Sequence, residues 1–170
     1  MSARMDMRAL RSAFGRFATG VTIVTAIGPD GRPIGMTANS FSSVSLDPPL
    51  ISWCLGLRSS LCAAFRAAPH FAINVLSEAQ ADLSARFAAP LPDRFAGVDW
   101  ISGLGGAPLI EGCIARFECA QALHFEAGDH AVLVGRVEAF THGDGAPLIF
   151  FAGRYGIGRA EAAAPAQRGP

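Results

Sequence analysis

Residues Cys113 to Phe140 place the tightest constraint on the fold. Cys113, Ala115, Phe117, Cys119, Gln121, Leu123 and Phe125 fall on one face at every second position, and Arg116, Glu118 and His124 fall on the other. A period of two belongs to an extended strand with one covered face, because successive Cβ atoms point to opposite sides of a sheet. Ala127-Gly128-Asp129 supplies a turn, and His130 to Phe140 runs back as a second strand. Two strands joined this tightly are antiparallel, since a parallel pair needs a crossover of a dozen or more residues.

The rest of the chain repeats the pattern on a smaller scale. Gly20 to Ile27 is rich in Val, Ile and Thr and reads as a strand, followed by a turn at Pro29-Asp30-Gly31. Ile34 to Leu46 reads as a strand with an irregular Ser-rich stretch, which Asp47-Pro48-Pro49 ends. Leu50 to Leu57 is almost continuously apolar, the expectation for a strand buried on both faces. Phe71 to Leu76 is another strand, and a turn at Gly143-Asp144-Gly145 leads to a last one at Leu148 to Phe151.

Three short helices fit between these strands. Met7, Leu10, Phe14 and Phe17 mark one face of an N-terminal helix that ends near Thr19-Gly20. A second runs from about Ser60 to Ala68, and Ser77 caps a third that carries Leu83 and Phe87. Pro90 to Gly112 reads as a long surface excursion. The sum is a mainly β domain with short helices, an antiparallel and partly closed barrel. No G-x-G-x-x-G lies between a strand and a helix, which excludes a Rossmann domain.

Composition narrows the function classes. All 14 basic residues are Arg, so Schiff-base catalysis through a lysine is excluded. The formal net charge is zero and no basic stripe stands out, which gives nucleic acid no electrostatic footing. No run of 18 apolar residues occurs, so no membrane span is expected. Met1 to Leu10 lacks the apolar segment of a secretory signal, and a cytoplasmic location is expected. Cys54, Cys62, Cys113 and Cys119 form no CxxC pair and read as reduced thiols, with no metal site. A hydrophobic fraction of 51% against 16% charged is high for a lone monomer, so a homodimer is expected.

Four segments carry candidate chemistry. Thr37-Ala38-Asn39-Ser40-Phe41-Ser42-Ser43-Val44-Ser45 is small and hydroxyl-rich. It suits the polar edge of a planar ring, and equally a Ser-rich strand facing water. Arg58-Ser59-Ser60 precedes a helix and suits a phosphate, or an ordinary helix cap beside a solvated arginine. Gly128-Asp129-His130 places an imidazole at a hairpin tip, as a substrate contact or a plain turn residue. Gly153-Arg154-Tyr155 pairs a guanidinium with an aromatic ring, to bind an anion and stack or to pack on the surface.

Their order along the chain is more specific than any one of them. Phe17-Ala18-Thr19-Gly20-Val21-Thr22-Ile23-Val24-Thr25, the Thr37 to Ser45 segment and Asp47-Pro48-Pro49-Leu50 come first. Phe71-Ala72-Ile73-Asn74-Val75-Leu76, Gly128-Asp129-His130 and Gly153-Arg154-Tyr155 follow. Together they closely resemble the flavin reductase-like family over about residues 8 to 156. That resemblance implies the FMN-binding antiparallel split β-barrel. Residues 1–156 are read as the domain, and 157–170, which runs into Ala, Gly, Pro and Arg, as a disordered tail. It implies an NAD(P)H:flavin oxidoreductase, with FMN or FAD and with NADH or NADPH as hydride donor. The enzyme would be a homodimer that supplies reduced flavin to a flavin-dependent monooxygenase.

By the same likeness, Thr37, Ala38, Asn39, Ser40, Ser42 and Ser43 would line the isoalloxazine and ribityl chain, and Cys54 would lie beneath the ring. Arg58, Ser59 and Ser60 would hold the phosphate. His130, Arg154 and Tyr155 would stand on the nicotinamide side, with His130 positioning that ring without acid–base work. Leu61 departs from the pattern, since many relatives carry a further Thr or Ser there. The competing readings are a split-barrel oxidase resembling pyridoxamine phosphate oxidase, and a flavin-binding electron carrier or storage protein.

Overall fold

The computed structural model describes residues 5–158. Helix α1 (Met7–Phe14) leads into a short strand β1 (Thr19–Gly20) and then β2 (Thr22–Ile27), β3 (Pro33–Ala38), β4 (Ser42–Leu46) and β5 (Pro49–Gly56). Helix α2 (Cys62–Ala67), strand β6 (His70–Val75) and helix α3 (Ala81–Ala88) follow. A small hairpin of β7 (Trp100–Ser102) and β8 (Pro108–Ile110) precedes the long pair β9 (Ala115–Ala127) and β10 (His130–His142). The described chain ends on β11 (Leu148–Phe151) and β12 (Arg154–Ile157).

The main sheet has seven antiparallel strands in the order β3-β2-β6-β9-β10-β5-β4. Its two ends come together at Ser40, just past β3. The Ser40 hydroxyl accepts from the Cys54 amide at 2.8 Å and donates to the Cys54 carbonyl at 3.1 Å. One side chain thus fastens the β3 end of the sheet to β5, and the sheet rolls into the expected split barrel. Bulges supply the bend, because an extra residue on one strand sharpens the local twist. Val134 faces Leu123 while Gly135 faces Gln121, so Ala122 is extra on β9, and Glu138 is extra on β10. Gly135 fits there because a Cβ would come within 2.5 Å of the Phe71 ring.

Inside the barrel, Trp53 meets Phe65 and Phe71 edge-on, with centroids 5.0 and 6.0 Å apart. Burying such rings dominates core energetics. A second cluster joins Val21, Ile23, Leu76, Phe87, Ile110 and Leu148, so α3 and β11 pack on the outside of β2.

The structure departs from the sequence reading in five places. Strand β5 is not buried on both faces: Ile51, Trp53 and Leu55 are buried, while Ser52, Cys54 and Gly56 are half-buried. The run reads as almost continuously apolar because the second face holds the small residues Ser52, Cys54 and Gly56. The one-face pattern from Cys113 to Phe125 breaks at the Ala122 bulge, leaving Leu123 and Phe125 about half exposed at 50% and 51%. The Pro90 to Gly112 excursion is partly core, since Ala107, Leu109 and Ile110 are buried. Asn74 pulls that segment inward by accepting from the Ile110 amide at 2.8 Å and donating to the Pro108 carbonyl at 3.3 Å. Helix α1 stops at Phe14 and buries nothing, so Phe14 and Phe17 stand 69% and 78% exposed. Ile157, expected in the tail, closes β12, and the tail beyond 158 lies outside the described residues.

Candidate functional site

The β9–β10 hairpin sets one end of the site. Gly128, at φ 61°, turns the chain where a Cβ would be strained. The register then pairs His130 with Gly56 at the end of β5. The Leu57 amide donates to the Asp129 carbonyl at 2.9 Å, which seats the hairpin tip on the Arg58-Ser59-Ser60 segment. Asp129 Oδ1 lies 2.7 Å from His130 Nδ1, and orients the imidazole. The hydrogen bond and charge of His130, with a smaller effect of Arg58, hold the Asp129 carboxyl below its ordinary value. Candidate residues far apart in sequence, Arg58 and His130, are therefore neighbours.

The phosphate segment itself is partly spent on local structure. The Ser59 hydroxyl accepts from the Leu61 amide at 3.3 Å and the Ser59 carbonyl accepts from the Cys62 amide at 3.0 Å, so these amides at the start of α2 are not free. The Arg58 guanidinium and Ser60 hydroxyl have no hydrogen-bond or ion-pair partner among the described residues. Next to them lies a recess of about 160 Å³ lined by Pro33, Ile34, Gly35, Ser60, Leu61 and the loop from Leu91 to Phe95. Arg94 from that loop donates to the Gly35 carbonyl at 2.7 Å and the Ala89 carbonyl at 2.9 Å. Sequence reasoning missed Arg94, because nothing local signals that a loop arginine returns to β3.

The other end of the site forms where β3 meets α3 and β12. A recess of about 200 Å³ is lined by Val21, Thr37, Ala38, Asn39, Ala88, Phe150 and Tyr155. Its wall hangs on Ser84, a buried residue of α3 that sequence reasoning also missed. The Thr37 hydroxyl donates to the Ser84 carbonyl at 2.6 Å, and the Tyr155 hydroxyl lies 2.8 Å from the Ser84 hydroxyl. The Asn39 amide side chain is exposed and has no partner among the described residues. Ser42 and Ser43 are exposed on β4. Arg154 lies on exposed β12, beside a shallow recess it shares with Phe151, Tyr155 and Gly156.

Ser40 and Cys54 link the two ends. Thr37 to Asn39 lead to Ser40, Ser40 holds the Cys54 backbone, and Cys54 is two residues from Gly56, opposite His130. Tyr155 bonds to Ser84 and His130 to Asp129, and no hydrogen bond joins the two directly. Burial raises the Cys54 thiol above its ordinary value and pushes Cys119 up to about 12, so both stay protonated at neutral pH. The string offers free amide, hydroxyl and guanidinium groups along half-buried walls, without a nucleophile–base pair. Such a surface suits a planar ligand with an anionic tail.

The model of the flavin reductase like domain matches residues 14–159. The chain is 56% identical over 135 residues to the stachydrine N-demethylase reductase subunit Stc3 of Rhizobium meliloti, covering 79% of this chain and 59% of that protein. It is 52% identical over 151 residues to the FMN reductase (NADH) SmoA of Agrobacterium fabrum, covering 89% of this chain and 86% of that protein. Among solved structures, the NADH:FAD oxidoreductase SgcE6 of Streptomyces globisporus, in complex with NAD and FAD fragments, superposes with a TM-score of 0.85 at 40% identity. That match covers 96% of this chain and 99% of the other. Some relatives are longer: the chain spans 44% of a probable flavin reductase of Rhizobium meliloti at 56% identity. A domain model matched over residues 14–159 and relatives at 52% and 56% identity show that the chain belongs to the flavin reductase-like family.

Proposed function

We propose that the protein is an NAD(P)H:flavin oxidoreductase that supplies reduced FMN or FAD to a flavin-dependent monooxygenase in the cytoplasm. The observation that carries this reading is the string from Tyr155 through Thr37, Ser40 and Cys54 to His130 and Arg58, in a chain 52% identical to an FMN reductase (NADH). The donor set fits a flavin: an unpartnered Asn39 amide for a polar ring edge, and an unpartnered Arg58 guanidinium with the Ser60 hydroxyl for a phosphate.

Thr37, Ala38, Asn39, Ser40, Ser42 and Ser43 are assigned to the isoalloxazine and ribityl chain, and Cys54 to the floor beneath the ring. Arg58, Ser59 and Ser60 are assigned to the phosphate, and His130, Arg154 and Tyr155 to the nicotinamide side. Held by these residues, a flavin would supply the hydride acceptor and a reduced nicotinamide the hydride donor. The protein's share is alignment and exclusion of water, and alignment is worth up to about 7–11 kcal/mol in a well-oriented pair. The Asp129–His130 pair fixes one imidazole nitrogen and leaves the other to face a carboxamide or a ring.

The purified protein mixed with FMN and excess NADH in the absence of oxygen is expected to bleach the visible flavin absorbance within seconds. Tight flavin binding without bleaching would make it a carrier instead. The reading also includes a homodimer. Leu46, Val44, Phe125 and Phe140 are exposed apolar residues on the main sheet, which a second subunit would cover. Light scattering at micromolar concentration is expected to give twice the chain mass, and a single-chain mass would refute the dimer.

A further inference from the structure

The formal net charge of zero conceals one uneven feature. Arg8, Arg11 and Arg16, with Ser12 and Gly15, line a recess of about 390 Å³ whose opposite wall is Ala152-Gly153, the turn between β11 and β12. All three arginines are exposed, and none has an ion pair or a side-chain hydrogen bond among the described residues. Asp6 is the sole acidic residue between Met5 and Gly20, and its carboxylate is occupied: it caps α1 by accepting from the Arg8 and Ala9 amides at 2.8 and 3.3 Å. Arg11 in the last turn suits the helix dipole, but Arg8 sits in the first turn, where the dipole disfavours a cation. Helix stability therefore does not account for the cluster.

The opposite wall is held in an uncommon conformation. Ala152 has φ 49°, a left-handed backbone that few non-glycine residues adopt. Its amide donates to the Gly15 carbonyl at 2.8 Å, which docks the turn on the end of α1. Gly153 follows at φ 79°, so both central residues of the two-residue β11–β12 hairpin take the positive φ that such a turn requires. The recess is thus built before any ligand arrives. Guanidinium forks match the oxygens of phosphate groups, and three in one recess exceed what a single phosphate needs. Tyr155 is two residues along β12 from Gly153, about 7 Å at the rise of a strand.

We infer that the Arg8–Arg11–Arg16 recess is a subsite for the phosphates of a dinucleotide whose ring end lies at Tyr155. The inference rests on the reductase reading for the identity of that dinucleotide. Its phosphates belong either to the adenylate half of NAD(P)H or to that of FAD. The chemistry is the same in both, and the kinetics below separate them.

The test compares wild type with the triple variant Arg8→Gln, Arg11→Gln, Arg16→Gln, whose fold is checked by its melting curve. Calorimetry with adenosine diphosphate as probe is expected to show binding that weakens roughly tenfold in the variant. In turnover, the ratio of KM for NADH to KM for reduced nicotinamide mononucleotide, which lacks the adenylate half, is expected to rise about as much. A rise in the FAD-to-FMN ratio in its place assigns the phosphates to the flavin. If both nucleotide ratios stay at wild-type values, or if adenosine diphosphate binds both proteins equally, the inference fails. A wild type that binds adenosine diphosphate through these arginines but never reduces flavin keeps the subsite and overturns the reductase reading.

Discussion

Arg58→Ala is expected to weaken FMN by about 1.5–3 kcal/mol, the value of a hydrogen bond to a charged group, while riboflavin affinity changes little. At room temperature this is a loss of roughly 10- to 150-fold in Kd. Two features of the structure lead to this expectation. The guanidinium is free of other partners among the described residues, and it is two residues from Ser60, whose hydroxyl is also unpartnered and lines the recess. Asp129 is near enough to feel the charge of Arg58, but its carboxylate is engaged by His130. The arginine is therefore available to an incoming phosphate. Arg58 is exposed at the surface, so its removal leaves the barrel intact and the binding change is read without a folding artefact. Fluorescence titration with the two flavins checks it. Equal weakening of FMN and riboflavin would take Arg58 off the phosphate.

His130→Ala is expected to raise KM for NAD(P)H and to lower kcat/KM ten- to hundredfold, with flavin affinity nearly unchanged. That range equals about 1.4–2.8 kcal/mol of lost transition-state stabilisation. The imidazole is half exposed at the barrel rim, opposite Gly56, and Asp129 holds it by one nitrogen. A ring in that position can orient a carboxamide but takes no part in moving the hydride. Stopped-flow measurement of flavin reduction against nicotinamide concentration checks it. Wild-type kinetics in the variant would leave His130 as a turn residue, whereas a collapse of flavin binding would place it on the flavin side.

Much of the architecture is legible in the chain itself. The alternation in β9, the β-branched run in β2 and the turn residues at Asp30-Gly31 and Gly128-Asp129 each name an element through local sterics. The hydroxyl-rich Thr37 to Ser45 segment, Arg58-Ser59-Ser60 and Gly128-Asp129-His130 are also visible locally, because each is an unusual cluster of side-chain types. Free hydroxyls are not visible in this way. Thr37 turns its hydroxyl to the Ser84 carbonyl and Ser40 gives its own to Cys54, so two of the expected ligand groups act as struts of the site. Asn39 keeps its carboxamide, and Ser60 its hydroxyl, without a partner among the described residues.

Strand type and turn position follow from period, β-branching and the φ demands of glycine, all of which act over a few residues. The sequence by itself therefore determined an antiparallel, mainly β chain with its candidate segments in order. Which segments meet depends on register, bulges and sheet closure, and these are settled by packing over long separations. The Ala122 bulge breaks a face that period alone carries unbroken to Phe125. Asn74 draws Pro108 to Ile110 into the core by hydrogen bonds to a strand, β8, more than thirty residues away. Ser84 and Arg94 join the site, and Arg8, Arg11 and Arg16 face a turn at Ala152, because the rolled sheet brings α1, α3 and the Arg94 loop onto it. Burial of Trp53, Phe65 and Phe71 drives that roll, and it depends on the whole chain at once.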